Sequence, residues 1–152
     1  MESPLHVRQD PNLHGANRCF GCGPANPGGL HLEFVVSGDR AADQSDPAPS
    51  VIALPVISRD FEGHPGYLHG GIIATLIDEA MSKAVRACGF VAMTRHMEVD
   101  YLRPVPSGEP LRLEGKVTQN EGRKHWAEAR ILSAEGTVLA EGKGLFIAVR
   151  AR

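Results

Sequence analysis

A chain of 152 residues is the size of one domain, long enough to bury roughly two thirds of its unfolded surface. Hydrophobic residues at 42% and charged residues at 22% are ordinary for a soluble globular protein. A formal net charge of −2 leaves no basic footprint for nucleic acid or an anionic membrane, and no apolar run reaches the ~18 residues that a membrane span needs.

The opening MESPLHVRQD carries neither a basic nor an apolar signal region. Three cysteines without such a signal fit a reducing compartment, so a cytoplasmic location is expected. Residues 1–29 are polar and rich in Pro, Gly and Asn, and read as an arm ahead of a single domain over 30–152. Within the arm, Cys19-Phe-Gly-Cys22 invites a zinc or redox reading. Structural zinc takes four ligands, and Cys88 with His14 or His31 would have to complete the set. A redox pair belongs at a strand–helix junction, which is lacking here. The segment therefore reads as loop packing, with no metal site.

LHLEFVVS (30–37) alternates as a strand, and DRAADQSDPAPS (39–50) is a polar surface loop. VIALPVIS (51–58) is a second apolar strand in which Pro55 suggests an edge or a bulge. One long helix spans roughly 68–88 and stops at Cys88-Gly89, with Gly89 as its C′ residue. Four strands then follow at hairpin spacing, over 93–104, 109–120, 124–133 and 137–149. The fold class is α+β, one central helix wrapped by a curled antiparallel sheet of about six strands, because one helix covers one sheet face.

At ~100° per residue, the apolar side chains of the helix cover about 220°, more than one sheet needs, so a second surface is expected on it. Thr75, Glu79, Ser82, Lys83 and Arg86 form a polar stripe, and Glu79 reads as a surface acid with Lys83 at i+4. Asp78 differs. It borders the apolar arc beside Ala74, Met81 and Val85, with no cation at i±3 or i±4, and aspartate is a poor mid-helix residue. That makes it a functional candidate. Free N–H groups at the helix start, where Gly70 and Gly71 lack a Cβ, offer a site for a developing oxyanion, with His69 adjacent. Gly70 and Asp78 are eight residues apart, about 12 Å along one axis, whereas a base or nucleophile works ~3–3.5 Å from the reacting carbon. A site using both must be shared between two antiparallel helices related by a two-fold axis. His96 and His125 fall in strands without an evident partner, and Trp126 reads as packing.

Three stretches, CFGCGPANPGGLHLEF (19–34), GYLHGGIIATLIDEAM (66–81) and VDYLRPVPSGEPLRLEGKV (99–117), resemble the hotdog-fold thioesterases of the phenylacetic-acid-pathway (PaaI-type) branch. The resemblance implies hydrolysis of an acyl-CoA thioester without metal or cofactor, by a homodimer or a dimer of dimers. Carried over by position, Asp78 is the general base or nucleophile, Gly70 the carbonyl-polarising amide, and Thr94 the hydroxyl that helps hold water. Relatives often carry Asn or Gln six residues before the HGG histidine; this chain has Gly63, so either His64 beside it takes over that role or the interaction is absent. His64, Gly63 and Gly71 are thereby the substrate-binding candidates, and His69 joins the catalytic set. Two rivals remain at this point: a non-catalytic acyl-CoA or aromatic-ligand binding module, and a hotdog enoyl-CoA hydratase or dehydratase.

Overall fold

The computed structural model describes residues 3–4, 17–37 and 49–151. In chain order these form β1 (Ser3–Pro4), β2 (Val35–Ser37), β3 (Ser50–Ala53), α1 (Gly70–Ala87), β4 (Phe90–Tyr101), β5 (Leu111–Glu121), β6 (Lys124–Ser133) and β7 (Val138–Ala151), with a 3₁₀ turn at Arg59–Phe61. The strands pair antiparallel in the spatial order β1-β2-β3-β5-β6-β7-β4. The six strands β2–β7 are the curled, unclosed sheet that the sequence implies, and the two-residue β1 extends its edge. No helix of the described residues is long and apolar enough to cross a membrane.

Two strands are shorter than their hydrophobic patterns. The 30–37 run is ladder-bonded only from Val35, although Leu32 and Phe34 are buried as the alternation requires. The 51–58 run stops at Ala53, two residues before Pro55, which has no N–H to donate, and Val56 returns in a lone bridge to Pro110. Helix α1 matches its pattern closely and ends at Gly89, whose φ of 96° is the left-handed C′ conformation.

The concave sheet face takes the apolar stripe of α1. Leu76, Ile77, Met81 and Val85 are at most 1% exposed, and each such burial contributes roughly 1.5–3 kcal/mol before conformational entropy is counted. They meet Leu113, Val117, Ala127, Ile131 and Phe146 from β5, β6 and β7. The helix lies so close to β5 that a Cβ on Gly115 would stand 2.4 Å from the Ala80 carbonyl oxygen. Glycine at that strand position is a condition of the packing. His125 is the buried polar residue of this core, 1% exposed, stacked on Phe90 at 4.3 Å and bonded through Nδ1 to Asn120.

The polar stripe of α1 does not simply face solvent: Thr75, Glu79, Ser82, Lys83 and Arg86 are all half-buried. Part of the cover is the segment from Asn17 to Gly23. Its turn closes through Gly23 N–H to the Cys19 carbonyl at 2.8 Å, and Leu32 N–H to the Gly21 carbonyl at 2.9 Å ties it to the approach to β2. Cys19 Sγ donates to Glu79 Oε1 at 3.5 Å, and Lys83 Nζ donates to Cys22 Sγ at 3.1 Å. The expected surface acid at 79 is thus a seat for the cysteine loop. Of the three residues weighed as companions to those cysteines, His14 lies outside the described residues, His31 is bonded to the Asn26 carbonyl, and Cys88 caps α1 some 13 Å further along its axis.

Candidate active site

His69 is the N-cap of α1, with extended backbone at φ −61° and ψ 141°. Its Nδ1 accepts the Gly71 N–H at 2.9 Å, a bond that requires Nδ1 to carry no proton. Its carbonyl accepts from Ile72 N–H at 2.9 Å and Ile73 N–H at 3.1 Å. The first turn is thereby satisfied except at Gly70, whose N–H has no acceptor among the described residues. That N–H stands at the positive end of an 18-residue helix. Histidine therefore orders the helix start, and Gly71 is engaged by the cap.

Tyr101, the last residue of β4, donates its hydroxyl to the Gly70 carbonyl at 3.0 Å. Its ring would lie 3.7 Å from a Cβ at Gly70, ordinary van der Waals contact, so the fold tolerates a methyl there. Sequence reasoning gave this tyrosine no role. Its signal was its place at the head of the Tyr-Leu-Arg-Pro run that leaves β4 towards the helix start.

The loop ahead of the helix is organised by Glu62. Its carboxylate accepts from Arg59 Nε at 2.8 Å, Ser107 Oγ at 2.8 Å and Gly66 N–H at 3.1 Å. These bonds, the Arg59 guanidinium foremost, hold its pKa down to about 2. Gly63 and His64 lie in the same loop and are exposed; Gly63 N–H bonds to the Tyr67 carbonyl and Tyr67 N–H to the His64 carbonyl, both at 3.0 Å. A Cβ on Gly63 would approach His69 Cα to 3.2 Å, so a larger side chain at 63 would press on the capping histidine.

Two turns further along α1, half-buried Asp78 accepts from Thr94 Oγ1 at 2.7 Å, a short charge-assisted bond. Thr94 is presented by β4 at the register break between Thr94 and His96, which re-aims side chains locally. The fold therefore brings Asp78 and Thr94 together and sets Gly70 about 12 Å away on the same straight helix. A concavity of about 630 Å³ lies elsewhere, on the outer sheet face among the ion-paired Arg112, Glu114 and Arg130, and neither Asp78 nor Gly70 lines it.

A single helix held in an open, curled antiparallel sheet, with a carboxylate–hydroxyl pair midway and an open N–H at its start, defines a hotdog-fold protein. The chain belongs to the thioesterase superfamily, whose family model matches residues 65–140. It is 43% identical over 88 residues to acyl-coenzyme A thioesterase THEM4 of Xenopus laevis, covering 57% of this chain and 39% of that one. It is 34% identical over 120 residues to the THEM4 enzyme of Rattus norvegicus, covering 78% and 49%. The chain thus spans less than half the length of these two relatives. A solved thioesterase superfamily protein matches with a TM-score of 0.75 at 30% identity, over 86% of this chain and 60% of its own.

Proposed function

We propose that this protein hydrolyses acyl-CoA thioesters to the free acid and CoA, in a site assembled from two copies of the chain. The observation that carries the reading is the Thr94–Asp78 bond, which fixes a carboxylate on α1 at a helix length that cannot reach the same chain's Gly70 N–H. Strand β4 supports a two-fold assembly: its outer edge is unpaired among the described residues, and Val91, Met93 and Tyr101 are exposed along it. Pairing of two such edges would set α1 of one protomer antiparallel to that of its partner.

In this arrangement Gly70 N–H and the helix dipole polarise the thioester carbonyl and stabilise the oxyanion of the tetrahedral intermediate. Asp78 of the other protomer takes the proton of an attacking water, or attacks the carbonyl itself, and Thr94 holds that carboxylate in place. The thiolate of CoA leaves without needing a strong acid. Tyr101 ties the helix start to β4, and Glu62 braces the loop ahead of it. Family membership and the names of the relatives support the substrate class.

Free-thiol release from short, long and aromatic acyl-CoAs tests the proposal. Hydrolysis of one class by the folded protein is expected. Tight binding of an acyl-CoA with no thiol released from any of them would leave a binding module, and water addition to crotonyl-CoA would leave a hydratase.

A further inference from the structure

The segment Cys19–Cys22 and the polar stripe of α1 meet in a cluster that the hydrolytic site does not use. Cys19 Sγ, Cys22 Sγ and a Glu79 carboxylate oxygen all lie within 4.8 Å of one another. Glu79 Oε1 receives the weak Cys19 S–H bond at 3.5 Å, while Oε2 is buried and has no hydrogen-bond partner among the described residues. A buried carboxylate oxygen without a partner is costly, and a cation is one way to satisfy it. The loop packs directly on this carboxylate: a Cβ on Gly21 would fall 2.3 Å from Glu79 Cγ and 2.7 Å from Oε1, so a side chain there would push the Glu79 carboxylate out of its place.

From this geometry we infer that Cys19, Cys22 and Glu79 form a binding site for a thiolate-preferring divalent cation of the zinc type, with water as the fourth ligand. The Cys19 Sγ···Glu79 Oε1 separation of 3.5 Å matches one edge of a tetrahedral site, since bonds of about 2.3 Å to sulfur and about 2.0–2.2 Å to oxygen subtend an edge of roughly 3.5–3.7 Å. Two thiolates and a carboxylate carry three negative charges, and Zn²⁺ leaves one. Lys83, whose Nζ lies 3.1 Å from Cys22 Sγ, neutralises that last charge from outside the coordination sphere. Loading exchanges the two thiol protons, released to solvent, for the dication, so the net charge of the cluster does not change. The consequence is mechanical. The metal would pin the segment leading into β2 onto the outer side of α1, one residue from Asp78, and the site is independent of whether the chain hydrolyses thioesters.

The test is a titration of the reduced full chain with Co²⁺, followed by displacement with Zn²⁺. A thiolate-to-cobalt charge-transfer band saturating at one ion per chain is expected. Cys22→Ser should abolish it, Glu79→Gln should weaken binding at least tenfold, and Cys88→Ser should leave it unchanged. Should Cys22→Ser fail to fold, alkylation of the wild-type chain replaces it: Zn²⁺ should slow modification of Cys19 and Cys22 at least tenfold and leave Cys88 unaffected. No band from the folded wild type, a band that persists in folded Cys22→Ser, or equal alkylation of Cys19 and Cys22 with and without Zn²⁺ would each overturn the assignment.

Discussion

Replacing Asp78 by Asn keeps the side-chain shape and the partner for the Thr94 hydroxyl but removes the carboxylate's capacity to take a proton or attack a carbonyl. Loss of a positioned base typically costs 10²- to 10⁴-fold, about 2.7–5.4 kcal/mol of transition-state stabilisation. Thr94→Val acts on the same group at one remove. The 2.7 Å bond has an ionised acceptor, worth roughly 1.5–3 kcal/mol, so its loss should slow hydrolysis about ten- to hundredfold. Because Thr94 works through the carboxylate, its removal should cost little once Asp78 is Asn, and the double variant should match Asp78→Asn alone. The assay is initial thiol release from the preferred acyl-CoA for the four proteins, with thermal melts confirming that each is folded. An Asp78→Asn rate within threefold of wild type would remove the residue from the mechanism. Full additivity in the double variant would refute Thr94 as a positioning residue.

Gly70→Ala separates folding from catalysis: the methyl meets Tyr101 at 3.7 Å only, so the melting temperature should hold while activity falls tenfold or more, and retained activity would place the oxyanion elsewhere. Gly115→Ala should do the opposite, since its Cβ would overlap the Ala80 carbonyl; overpacking of this kind costs roughly 1–3 kcal/mol or more, and calorimetry should show a fall of about 2–12 °C. Burial lowers the pKa of His125 below its ordinary 6.5, so the unfolded chain binds a proton there that the native one refuses. Stability should therefore decline as pH falls below about 6.5, and His125→Gln should flatten that part of the curve in urea titrations from pH 7 to 5. An unchanged slope in the variant would show that another group is responsible.

What the sequence determined was whatever depends on local periodicity and on residue chemistry at fixed spacing. The 3.6-residue pattern of 70–87 specifies a helix and its buried face, the two-residue alternation of 111–117 specifies an inward row, and Gly89 stops the helix because it alone takes φ 96° cheaply. The helical rise also sets the separation of Gly70 from Asp78 without any fold. The tertiary structure decided what comes from elsewhere in the chain. Thr94 reaches Asp78 because a register break on β4 turns it there, and Tyr101 finds the Gly70 carbonyl because β4 runs back past the helix start. Strands 30–37 and 51–58 are shorter than their patterns because ladder bonding needs a partner in register, and burial alone fixes only which side chains turn inward. Glu79 had a lysine at i+4 and read as a solvated or ion-paired surface acid, yet a residue sixty positions earlier covers it. A local pattern assigns a face to a residue; only the packed chain assigns it a neighbour.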